Sequence, residues 1–245
     1  MSGRARLARY ALWQVVDFLF ERAVAIVLIL ALFLYVAHFT ISSTPRPPGG
    51  ELSEEILHAL APLLMTNLLG TAWIAVGLLA ANGISSNDRT TGRFRFLFSK
   101  PVRAEAYYAQ AFAVNMVLAS VCLMAAVLLL GHWTAAQPRF MRDAVLIAAS
   151  GVVGIGGLCF FFSAVFRFDW LGTVGVWGGV SLLHMQFFGA SWLRFLPPTS
   201  AVGTQIDNLG AQRPVDVLQL FWFLLFGLVS FAVGLLILRR RPLST

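Results

Sequence analysis

Six stretches of this chain contain no Asp, Glu, Lys or Arg: residues 23–45, 56–87, 106–138, 144–166, 170–193 and 217–238. Each can hold the roughly 20 apolar residues that carry a helix across a bilayer. A 245-residue chain that is 58% hydrophobic and 12% charged cannot hide so much apolar surface in one water-soluble core. In lipid the backbone must pair within the protein, which leaves helices or closed barrels, and these runs lack the alternation of barrel strands. The expectation is an all-α membrane protein, a single domain over 1–245. Its six transmembrane helices are predicted near 23–41, 60–84, 107–131, 143–166, 171–193 and 217–238.

Six crossings place both termini on one side, and the basic residues say which. Arg4, Arg6, Arg9, Arg22, Arg89, Arg93, Arg95, Lys100, Arg103, Arg167, Arg239, Arg240 and Arg241 fall on one face, 13 of the 18 Lys and Arg; Arg46, Arg139, Arg142, Arg194 and Arg213 make 5 on the other. The richer face is predicted to be cytoplasmic. The net charge of +7 is thus a topology signal with the lipid bilayer as partner. A nucleic-acid role is excluded, since the cations are spread over membrane-flanking positions.

Residues 4–22 put Arg6, Tyr10, Gln14, Asp17 and Glu21 on one helical stripe, which predicts an amphipathic helix lying in the cytoplasmic interface ahead of span 1. Asp17, Glu21 and Arg22 interrupt what would otherwise resemble a cleaved presequence. Ser53 followed by Glu54 and Glu55 reads as a helix start. After Pro197 and Pro198, the residues Val202, Ile206 and Leu209 share one helical face ahead of Gly210, predicting a short interfacial or re-entrant helix. Gly151, Gly154, Gly156 and Gly157 in span 4, and Gly172, Gly175, Gly178 and Gly179 in span 5, allow close helix approach, expected mainly within the chain. Cys122 and Cys159 lie inside spans, and no disulfide is expected between them.

Apart from Asp143 at the very start of span 4, no span carries a carboxylate, Lys or Arg, which argues against a proton-driven or ion-coupled pump. No G-x-x-x-x-G-K-[ST] cradle exists either, since the only lysine, Lys100, sits between Ser99 and Pro101. His38, His58, His132 and His184 have no metal-binding spacing, and no metal site is expected. Ser191 in FGASW lacks the elbow of a serine hydrolase. Asn67, Asn115, His184 and Gln186 are the polar groups that could line a translocation path, or simply bond between helices.

Between spans 2 and 3 lies NDRTTGRFRFLFSKPVRAEAYY (Asn87–Tyr108). Phe94, Leu97 and Phe98 recur at helical spacing, with Arg93, Arg95 and Lys100 free to point away, so a short surface helix would bury the aromatics and offer cations to a partner. Pro101 then turns the chain into span 3.

The order Asp88, Arg89, Gly92, Leu97, Ser99, Lys100, Pro101, Val102, Tyr107 resembles the signature that follows the second span in membrane subunits of type 2 ATP-binding-cassette (ABC) exporters. LRFLPPTSAVG (Leu193–Gly203) is similar to a further region of that family, and the helix layout matches along the whole chain. The resemblance implies a permease in a bacterial cell membrane that pairs with itself or a homologue. It also implies two separate ABC ATPase subunits gripping the coupling helix at 88–105, with ATP and Mg on those subunits and no cofactor or catalytic residue on this chain. Two other classes stay open on sequence alone: a haem or redox protein built on the four histidines, and a membrane scaffold that transports nothing.

Overall fold

Between Gly3 and Pro45 the sequence offers no Gly or Pro to stop a helix, and in the computed structural model the backbone is helical over most of that interval. The structure describes residues 3–45, 53–85, 103–166, 169–187, 198 and 200–240, with the backbone alone at 3–8, 169, 184 and 185. Helix α1 (Gly3–Phe18), a π turn (Leu19–Ala23) and α2 (Val24–Ser43) follow without a break. Phe18 and Val24 keep helical dihedrals (φ −59°, ψ −47° and φ −58°, ψ −48°). Where the charge pattern predicts an interfacial helix followed by a separate span from 23, the chain forms one continuous helix, because nothing in FLFERAV favours a break.

Two residues of the polar stripe, Tyr10 and Gln14, turn toward protein, while Glu21 stays exposed. Gln14 and Phe18 are buried, Gln14 Nε2 donates to the Tyr107 carbonyl at 3.3 Å, and the Tyr10 and Tyr107 rings meet edge to face at 5.7 Å. Leu12, Trp13, Leu19 and Phe20 stay exposed. Apolar groups outward and polar groups inward is the arrangement that hydrocarbon surroundings favour.

Helix α3 (Glu54–Ala81) starts as the sequence predicts: the Ser53 hydroxyl accepts from the Ile56 N–H at 3.4 Å, with Glu54 and Glu55 in the positive first turn. Helices α4 (Ala104–Trp133) and α5 (Pro138–Val165) are joined by residues 134–137 alone. The predicted outside loop His132–Arg142 is therefore mostly helix. Pro138 opens α5 at a first-turn position, where its missing N–H goes unneeded. Helices α6 (Asp169–Gln186), α7 (Ser200–Gly210) and α8 (Val217–Arg240) follow. Helix α7 buries Val202, Ile206 and Leu209 and ends at Gly210, the face and stop visible in the sequence.

Five helical stretches are long and apolar enough to cross a membrane: Arg9–Ser43, Glu54–Ala81, Ala104–Trp133, Pro138–Val165 and Val217–Arg240. Trp170–Leu183 forms a shorter apolar helix. The chain is an all-helical, multi-pass membrane protein.

Contacts at its two ends give the helix directions. At one end Arg22 Nη2 donates to the Asn82 carbonyl (3.0 Å), the Ser85 N–H donates to Ser163 Oγ (3.1 Å), and Arg239 pairs with Glu105 (3.5 Å). At the other end the His38 and Trp133 rings lie 5.6 Å apart, and Gly210 of α7 abuts Thr66 of α3. Helices α2 and α4 therefore run one way and α3, α5 and α8 the other.

Helix α5 is the hub, packed on α3, α4, α6 and α8. Its glycines permit this: a Cβ at Gly157 would collide with the Gly227 carbonyl, and one at Gly151 would touch the Trp73 ring at 3.0 Å. Two aromatic clusters fill the gaps. Trp73, Trp177 and Phe223 meet edge to face at 5.1–5.9 Å, and Phe231 stacks on Phe112 at 4.2 Å beside Phe160. Cys122 and Cys159 are not joined in a disulfide.

Candidate functional site

The segment on which the resemblance rests, with Asp88, Arg89, Gly92, Arg93, Phe94, Arg95, Leu97, Phe98, Lys100 and Pro101, lies outside the described residues. Its two anchor points are described, and both sit at the same end of the bundle. The chain leaves α3 at Asn82–Ser85, held by Arg22 and by Ser163. It re-enters at Arg103 and Glu105, where Glu105 meets Arg239 of the last helix. Both anchors thus touch elements distant in sequence: the π turn through Arg22, α5 through Ser163 and α8 through Arg239. Sequence reasoning missed these anchors, because pairings such as Arg22–Asn82 have no local signature.

Of the polar residues proposed for a path, Asn67 and Asn115 lie on different faces of their helices. Asn115 is 3% exposed, and its Oδ1 accepts no hydrogen bond. Asn67 is exposed in the middle of α3, beside the exposed Gly70 and Thr71. Gln186 is exposed at the end of α6, and of His184 the backbone alone is described. Helical phase separates them: Asn67 points away from the packed face of Leu64, Leu68 and Ala72, whereas Asn115 shares the buried face of Phe112, Met116 and Ala119.

The glycines of α6 divide. A Cβ at Gly172 would meet the Phe162 ring at 2.9 Å, but Gly175, Gly178 and Gly179 face open space. The expected packing within the chain therefore holds for α5 and fails for most of α6, whose small-residue face has no neighbour among the described residues.

At the far end, α3, the 134–137 turn, α5 and the segment after α7 enclose a cavity of about 290 Å³, lined among others by His58, Arg139, Phe140, Asp143, Leu209 and Arg213. Asp143 is 6% exposed, and its Oδ1 accepts from Arg142 Nε (3.1 Å) and Nη2 (2.9 Å). The segment is braced by Gln205, whose Nε2 donates to Gln219 Oε1 (2.8 Å) while its Oε1 accepts from the Asp216 N–H (2.7 Å). Asp216 in turn caps α8, its Oδ1 accepting from the Leu218 N–H at 2.9 Å. That cap was legible as an Asp just ahead of an apolar run; the brace and the cavity were not.

Among the described residues no three His, Cys, Asp or Glu side chains are grouped to hold a metal ion. The His38 ring meets Trp133 at a 60° tilt and Ser42 donates to the His38 carbonyl at 2.8 Å, while His132 is exposed. What fold and site define is a class, the polytopic α-helical membrane proteins. No family model matches the chain, and no curated protein matches it significantly.

Proposed function

We infer that this chain is the membrane-spanning permease subunit of an ATP-driven exporter of the type 2 ABC class, working with two separate ATPase subunits and a second permease copy. The observation that carries this reading is the ordered signature from Asp88 to Tyr107, set between two helices whose ends meet at one face of the bundle. In this account Phe94, Leu97 and Phe98 seat a coupling helix, and Arg93, Arg95 and Lys100 face the ATPase. ATP and Mg²⁺ are held there, since this chain has no phosphate cradle.

The layout supports six crossings. Helix α5 ends where α3 ends, α7 lies where α3 begins, and α6 climbs between them with Gly172 on Phe162 and Trp177 on Trp73. At 1.5 Å per residue its 18 residues reach about 27 Å, close to the ~30 Å hydrocarbon core. With the 13-to-5 split of basic residues, the loop end and both termini are cytoplasmic in a bacterial cell membrane.

A second copy accounts for two features that a lone chain leaves facing hydrocarbon. Asn67 is a polar side chain exposed at mid-span, which is costly against lipid. Gly175, Gly178 and Gly179 form a small-residue face that no described residue covers, of the kind that packs helix on helix. The test is co-expression with an ABC ATPase encoded beside it. The chain alone should hydrolyse no ATP and the complex should; turnover by a preparation free of other subunits, or failure of any such ATPase to copurify, would refute the reading.

A further inference from the structure

We propose that the far-end cavity binds a zwitterion carrying an ammonium and a phosphate on a short linker, the chemistry of phosphoethanolamine, free or as a phospholipid headgroup. The proposal rests on the cavity and is independent of the ATPase reading. At about 290 Å³ the space lies at the lower bound for small-molecule sites, enough for a headgroup and too small for a folded partner.

Its charges are of both signs and incompletely matched. Asp143, buried at 6% exposure, uses Oδ1 for Arg142, while its Oδ2 has no donor among the described residues and is not sealed from the cavity that Asp143 lines. An ammonium entering the cavity would take up that oxygen's free lone pairs. Pro62 also lines the cavity and has no N–H to give the His58 carbonyl, so a second acceptor lacks its usual helical donor. Against these stand the exposed Arg139 and Arg213, which line the same cavity and make no ion pair among the described residues. Guanidinium forks suit phosphate oxygens. A simple anion would meet Asp143, and a simple cation would meet the arginines; a ligand with both charges satisfies both.

The backbone and a neighbouring groove point to the same place. Ala135 (φ 49°) and Gln212 (φ 55°) are the only non-glycine residues with positive φ among those described. Gln212 lines the cavity, and Ala135 directly precedes its lining residue Ala136. Each closes the helix ahead of it, with Ala136 N–H donating to the Gly131 carbonyl (2.9 Å) and Arg213 N–H to the Asn208 carbonyl (2.8 Å), so both caps fix the cavity rim. A second groove shares Pro62 and Gln212 and runs on past Leu63 and Thr66. Leu63 is exposed on the outside of α3, which gives an acyl chain a course from headgroup to bilayer.

Calorimetric titration of the purified full-length protein with O-phosphoethanolamine, inorganic phosphate and ethanolamine tests the site. Phosphoethanolamine should bind at least tenfold more tightly than either fragment. Asp143→Asn should abolish that preference, and Arg213→Gln, at an exposed position, should weaken phosphoethanolamine and phosphate alike by about tenfold with an unchanged unfolding temperature. Native mass spectrometry from nanodiscs of phosphatidylethanolamine or phosphatidylglycerol separates the sources. Selective retention of the former, lost in Arg213→Gln, identifies a lipid; binding of the soluble compound without such retention identifies a free zwitterion. The proposal is overturned if neither probe is bound selectively, or if a stably folded Arg213→Gln binds like the wild type.

Discussion

A Cβ placed on Gly227 would lie 2.5 Å from the Cα of Gly154, so α8 crosses α5 at backbone contact with no room for any side chain. Without a hydrophobic drive between helices in lipid, such close packing is a main source of association. Gly227→Val should therefore destabilise the bundle by about 1–3 kcal/mol through overpacking. Thermal unfolding in detergent checks this, and an unchanged transition would mean that the two helices do not meet there.

The face of α6 should behave in the opposite way. Gly175 and Gly179 touch nothing within 4 Å, so Gly179→Leu should leave the monomer's unfolding temperature intact while reducing self-association, measured by cross-linking or by subunit counting in nanodiscs. A variant that dimerises as well as wild type would remove α6 from the interface.

Gln205 braces the segment ahead of α8 through three hydrogen bonds, to Gln219, Asp216 and Asn208. Gln205→Leu leaves the Asp216 N–H without its partner and should cost about 1–3 kcal/mol locally. Hydrogen exchange over residues 200–219 should accelerate while exchange in α4 and α5 stays slow. Uniform acceleration would show that the brace supports the whole fold instead.

Helix existence was legible because hydrophobic length is a local property: the charge-free runs match the described helices closely, as do the Ser53 cap and the Gly210 stop. What escaped was non-local. Continuity of α1 into α2 depends on the absence of a breaker, whereas charge pattern alone marks a boundary at Arg22. The inward turn of Tyr10 and Gln14 depends on Tyr107, far away in sequence. The fate of a glycine depends on what stands opposite it, so Gly154 and Gly179 look alike in sequence and differ in the bundle. The far-end cavity is assembled from four separate segments, and no single one carries a motif.

The proposed topology rests on the distribution of basic residues and has a direct check. Single cysteines at Ser2, Ser99 and Thr245 should resist a membrane-impermeant thiol reagent in intact cells, and one at Gly49 should react. The reverse pattern, with Ser99 labelled and Gly49 protected, would invert the orientation and leave the coupling segment on the wrong side for an ATPase.

Coupling through residues 88–105 is the central claim, and ATPase activity of the assembled complex at equal membrane expression tests it most directly. Phe98→Asp places a charge on the side proposed to be buried, at a cost of a few kcal/mol on the order expected for an unpaired buried charge. Arg95→Ala removes a cation proposed to be solvated, worth roughly 1 kcal/mol. The account predicts that Phe98→Asp loses most of the coupled activity while Arg95→Ala keeps most of it. Two variants that both assemble with the ATPase and turn over like wild type would contradict it.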